Sequence, residues 1–158
     1  MRTNNLLIAS TLALLGGVAS ANTSLDFAFD SAALPANAEQ SLTGLIKEAD
    51  AKPSQRIVLD GHADQTGDAA YNVNLSLRRA LAVREKLITL GVDSERIVIS
   101  AYGEDNLAAR RVSARLTTDS VASVVQHTFA GRGTSITWEK PLSMAQLGEP
   151  SLDSVARQ

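Results

Sequence analysis

Strand-like and helix-like runs alternate along the middle of this chain, and that alternation leaves few folds open. Leu25-Asp26-Phe27-Ala28-Phe29 puts large apolar residues at every second position, the period of a half-buried strand. Asp30-Ser31 closes it, and Pro35 stands near the start of a helix, where its missing N–H costs nothing. That helix is expected over 36–51, with Leu42, Leu45, Ile46 and Ala49 as its apolar stripe, ended by Pro53-Ser54. Ile57-Val58-Leu59 is a short continuous apolar run, the pattern of a central strand covered on both faces. A Gly-bounded loop, 61–67, leads into a long helix over about 68–90, with Gly91 as its left-handed stop. Ile97 to Tyr102 and Val112 to Leu116 complete the strands. The order is β-α-β-α-β-β. Helices that link strands imply right-handed crossovers. The expected fold is therefore α/β, a two-layer sandwich with two helices on one face of a small mixed sheet.

The ends of the chain read differently. Arg2, an apolar run from Leu6 to Val18 and the small-x-small triplet Ala19-Ser20-Ala21 form the layout of a secretory signal peptide. Residues 1–21 are assigned to it, and the mature chain is expected to begin at Asn22. The apolar run falls short of the roughly 20 residues that a membrane-spanning helix needs. Residues 117–158 form an extension. Val121, Val124 and Val125 suit a short helix face, but Val124 to Phe129 and Thr134 to Glu139 are also β-rich runs around Gly131-Arg132-Gly133. The hairpin is the expectation, with Trp138 packed on a neighbour and a mobile tail beyond Pro141.

Composition narrows the function classes. Cysteine is absent, which excludes disulfides, thiolate metal sites and a lipid-bearing cysteine. A net charge of −2 gives no electrostatic footprint for nucleic acid. No basic amphipathic stretch suggests a membrane-surface helix.

Chemistry concentrates in one stretch. Gly61-His62-Ala63-Asp64-Gln65-Thr66-Gly67 places an acid in the loop, and Asn72-Val73-Asn74-Leu75-Ser76-Leu77-Arg78-Arg79-Ala80 places an arginine in the helix. Leu75, Arg79, Val83 and Leu87 are spaced by four and share a face that looks like core. An arginine there is costly unless it is paired and hydrogen-bonded. Arg79 thus has an internal carboxylate partner or opens into a pocket for an anion. Asp64 is read as a turn or capping residue, or as a partner for a ligand cation. Together the two suit a zwitterion: the acid takes an ammonium and the guanidinium a carboxylate in a two-point fork. Asp60, His62 and Asp64 alternate and would share a strand face as metal ligands, but Gly61 and the loop argue against that geometry. No nucleophile–base or tuned-carboxylate arrangement stands out, so no enzyme, metal or cofactor is expected.

The run Gly61-His62-Ala63-Asp64, Gly67, then Asn72 to Val83 resembles the signature of the OmpA C-terminal domain family, and the resemblance extends over about 25–116. Residues 22–116 are assigned to such a domain. The resemblance implies non-covalent binding of peptidoglycan in the periplasm, with Asp64 on the ammonium and Arg79 on the carboxylate of diaminopimelate. It further implies ligand-orienting or pocket roles for Asn72, Asp30 and Arg110, and a structural role for His62. Relatives of this kind are held at the outer membrane by a lipid-modified cysteine or a β-barrel; this chain is expected to be the soluble domain alone. Ala63 replaces the usual threonine, Ala109 the usual asparagine, and the link from Tyr102-Gly103-Glu104 to Arg110-Arg111-Val112 is short for the family. An alternative keeps the fold but not the pocket: a protein-interaction module whose extension docks an envelope partner.

Overall fold

The computed structural model describes residues 22–104 and 109–136. The expectations for the signal peptide, for Trp138 and for the tail beyond Pro141 lie outside the described residues. The elements are β1 (Thr23–Asp26), α1 (Ala38–Ala51), β2 (Arg56–Ala63), α2 (Ala69–Thr89), a 3-10 turn (Ser94–Arg96), β3 (Ile97–Glu104), β4 (Arg111–Thr117), α3 (Val121–Ala130) and β5 (Thr134–Ile136). The sheet order is β1-β4-β2-β3-β5. β2 and β3 run parallel, whereas β1–β4, β2–β4 and β3–β5 are antiparallel. The α/β sandwich with a mixed sheet is thus present in the expected order.

Strand alternation divides the core. Ile57, Leu59, Ile97 and Ile99 join the main cluster with Leu42 and Leu45 of α1 and Leu81, Val83 and Leu87 of α2. Each such side chain contributes about 1.5–3 kcal/mol on full burial. Val58 and Val98 point the other way and meet Val124 of α3. A third helix therefore covers part of the opposite face, which explains why Ile57-Val58-Leu59 is apolar at every position.

Two sequence expectations change. β2 continues through Gly61 and His62 to Ala63, with a register shift against β3 between Gly61 and Ala63. Gly61 is there for close approach: a Cβ would lie 2.3 Å from the Ser76 carbonyl oxygen of α2. The expected hairpin of the extension is also replaced, since 121–130 is helical. Ser120 caps α3 by accepting from the Ser123 N–H at 3.1 Å. Val124 and Thr128 then share a buried face. The Gly131-Arg132-Gly133 turn leads from a helix into β5, which pairs with β3. Gly133 is required because a Cβ would sit 2.8 Å from both Thr128 and Tyr102.

Candidate functional site

Two side chains that accept from backbone N–H groups aim α2 at the end of β2. Asp68 caps the helix, its Oδ1 accepting from Ala70 N–H at 2.8 Å and Tyr71 N–H at 3.3 Å. Two turns further, the buried Ser76 hydroxyl accepts the Gly103 N–H at 3.0 Å and ties the helix to β3. Leu75, Arg79, Val83 and Leu87 consequently face inward together.

Arg79 is fully buried. Its Nε donates to the Ser31 carbonyl at 2.8 Å, Nη1 to the His62 carbonyl at 3.1 Å and Nη2 to the Ala28 carbonyl at 3.0 Å. The guanidinium lies 5.5 Å from the Phe27 ring centroid. Neither sequence alternative describes it fully: its direct partners are backbone carbonyls of the β1–α1 loop and β2, and a carboxylate acts only at longer range. Burial pushes its pKa down; Asp64 draws it up, Arg110 pushes it down, and Asp30 and Tyr71 draw it up. Guanidinium keeps its charge regardless. Each Nη carries two N–H groups, and one on each is engaged among the described residues.

Asp64 stands just past β2. Its Oδ1 accepts from the Thr66 N–H at 3.1 Å and its Oδ2 from Arg110 Nη1 at 3.2 Å. Desolvation pushes this carboxyl up, but the Thr66 N–H and the Arg110 guanidinium outweigh it and hold the pKa below the usual range. Arg110, half-exposed, also donates Nε to the Phe27 carbonyl at 3.3 Å, while its own carbonyl accepts from Phe27 N–H at 2.7 Å. Asp30 adopts φ 49°, in the left-handed region, and its carboxylate accepts from the Tyr71 hydroxyl. That bond is the main reason the Tyr71 pKa is raised.

Asp30, Asp64, Arg79 and Arg110 are thus brought into one electrostatic cluster. Asn72 is not turned toward it. It is buried, and its amide donates to Glu104 Oε2 at 3.2 Å, bracing α2 against the end of β3. His62 stacks on Tyr102 with ring centroids 5.1 Å apart. Among the described residues no group of three potential metal ligands gathers, and no helix is long and apolar enough to cross a membrane. Sequence reasoning missed Tyr71 and Phe27. Tyr71 was findable, since it lies one and two four-residue steps before Leu75 and Arg79 on the same helix face.

The OmpA family profile matches residues 26–119, the span that runs from the end of β1 through β4 and carries the whole cluster. The chain belongs to the OmpA family. Its domain is accordingly a non-enzymatic one. Among curated relatives, the peptidoglycan-associated lipoprotein of Brucella melitensis is 32% identical over 111 residues, covering 64% of this chain and 66% of that protein. The protein of the same name from Pseudomonas aeruginosa is 37% identical over 88 residues, 55% of this chain and 51% of the relative. The chain thus spans about half to just under two thirds of these relatives. The solved peptidoglycan-associated lipoprotein of Burkholderia pseudomallei superposes with TM-score 0.52 at 26% identity, covering 60% of this chain and 90% of that one. The periplasmic domain of Helicobacter pylori MotB gives 0.54 at 20% identity, over 70% and 84%, a likeness of fold alone.

Proposed function

We propose that this chain is a periplasmic module that binds peptidoglycan non-covalently, gripping the zwitterionic end of diaminopimelate in the stem peptide. Asp64 receives the ammonium and Arg79 the carboxylate. Asp30 and Arg110 line the rim, and Asn72 supports the helix from behind through Glu104. The observation that carries this reading is a buried Arg79 from α2 bonded to the His62 carbonyl of β2, two residues before Asp64, whose charge acts on it. Two supports stand beside it: opposite charges suit a ligand that bears both, and the relatives bear the name peptidoglycan-associated lipoprotein. Asp64 has lone pairs left beyond its two present donors. Arg79 keeps one hydrogen on each Nη beyond its carbonyl bonds among the described residues.

Co-sedimentation with purified sacculi tests the proposal. Asp64→Ala is expected to weaken binding by at least roughly thirtyfold, the scale of losing one partner of a desolvated charge pair, about 2–5 kcal/mol, and Arg79→Lys, which keeps the charge but not the planar fork, should also bind poorly. Salt should weaken wild-type binding only moderately, because contacts in a pocket are less screened than surface attraction. Melting curves beside each assay separate lost contact from lost fold. A wild-type chain that never sediments, or folded variants that sediment as well as it does, would turn the assignment to an envelope protein-interaction module.

A further inference from the structure

Asp64, the expected partner of a ligand ammonium, is already engaged by a cation of the chain itself. Arg110 Nη1 lies 3.2 Å from Asp64 Oδ2, and its side chain is the exposed member of the pair, 45% accessible against 17% for Asp64. Arg79 behind them is fully buried, and Arg110 opposes its charge. Asp64 has lone pairs to spare, but an ammonium bound there would stand beside the Arg110 guanidinium on a single negative charge, so the two cations compete for it. Once displaced, Arg110 leaves a second guanidinium facing Arg79 with one carboxylate fewer between them.

We propose that Arg110 is a specificity residue acting by charge exchange: it admits ligands that bring a carboxylate together with their ammonium and rejects ligands that bring an ammonium alone. With a zwitterionic group the exchange is balanced. The ammonium takes the place of Arg110 on Asp64, and the carboxylate neutralises the guanidiniums. With a lysine side chain, Asp64 merely trades one cation for another and Arg110 is left without a counter-ion. The substrate class selected is thus the diaminopimelate stem over the lysine stem. This rests on the diaminopimelate reading above.

The test is titration calorimetry of the whole chain with two synthetic tripeptides that differ only in the third residue, meso-diaminopimelate or lysine. The variants are Arg110→Gln and Arg110→Lys, each with its melting curve. Wild type is expected to prefer the diaminopimelate peptide by at least about tenfold, which is 1.4 kcal/mol. In Arg110→Gln the lysine peptide should bind about threefold tighter than to wild type, the scale of releasing a partly exposed ion pair. Arg110→Lys keeps the competing charge and should keep wild-type selectivity. A direct contact between Arg110 and the ligand carboxylate would weaken only the diaminopimelate peptide and leave the lysine peptide unchanged. A lysine peptide bound no tighter by folded Arg110→Gln than by wild type therefore overturns the exchange mechanism. Failure of wild type to bind either peptide overturns the underlying diaminopimelate reading, and with it this inference.

Discussion

Arg79→Met keeps the length and apolar stem of the side chain and removes its charge and donors. Three carbonyls lose their partner, and they are not equivalent. Those of Ala28 and Ser31 belong to a surface loop and can return to water, so each costs about 0.5–1 kcal/mol. The His62 carbonyl belongs to a buried residue of β2 under α2. Leaving such an acceptor without a donor costs about 1–3 kcal/mol. Methionine returns part of this by sparing the fold a buried guanidinium. The expected net loss is about 2–4 kcal/mol, which for a domain of this size lowers the melting temperature by at least about 8 °C. Urea denaturation measures the loss. Hydrogen exchange locates it, with protection falling first at the Phe27 N–H, which depends on the placement of the β1–α1 loop. Arg78→Met, one position away on a half-exposed face, is the control and should cost no more than its contact with the Tyr71 ring, about 0.5–1 kcal/mol. An Arg79→Met protein within about 0.5 kcal/mol of wild type would refute the view that this arginine holds the loop.

Two further outcomes test other parts of the structure. Gly61→Ala places a methyl 2.3 Å from the Ser76 carbonyl oxygen, so α2 must shift; a loss of about 3 kcal/mol or more in urea is expected, and an unchanged midpoint would contradict the packing. Asp60 has its pKa raised, chiefly by desolvation, although Arg115 at 3.4 Å, His62 and Ser100 pull it down. The folded state thus holds this proton to a higher pH than the unfolded chain. Any stability tied to it is lost as pH rises from the ordinary aspartate range, about 4, through the folded pKa. Asp60→Asn should therefore gain on wild type in melting scans as pH goes from 4 to 7; parallel curves would sink the assignment.

The elements legible in the sequence were those where one period ruled. α2 shows four-residue spacing through Leu75, Arg79, Val83 and Leu87, and the alternation of β4 matches its buried and half-buried positions. Where a residue served a partner distant in sequence, local reasoning failed. Gly61 looked like the start of a loop, yet it is a strand residue made small by a helix backbone arriving from fifteen positions later, 76 − 61. The valines at 121, 124 and 125 fit both periods, and the decision belonged to the Ser120 cap and to Val58 and Val98, which no local window contains. At the site, charge pattern and spacing raised Asp64 and Arg79 as candidates, and the family resemblance gave them ligand roles. The engagement of Asp64 by Arg110 and of Asn72 by Glu104 depends on how β3 and β4 return beside β2.

That Arg79 braces the fold does not compete with its proposed use by a ligand. Backbone carbonyls are neutral: they satisfy N–H groups and hold the plane of the guanidinium, but they do not cancel its charge. Positive charge therefore persists inside the fold, compensated among the described residues at longer range by Asp64 and Asp30, each of which has a donor of its own in Arg110 or Tyr71. A cation fixed in this way loses little conformational entropy when an anion arrives, because the fold has already ordered it. A lysine at 79 would retain the charge and lose the planar fork that three carbonyls now orient. The same geometry that makes Arg79 expensive to remove would hold it ready for the carboxylate of the proposed ligand.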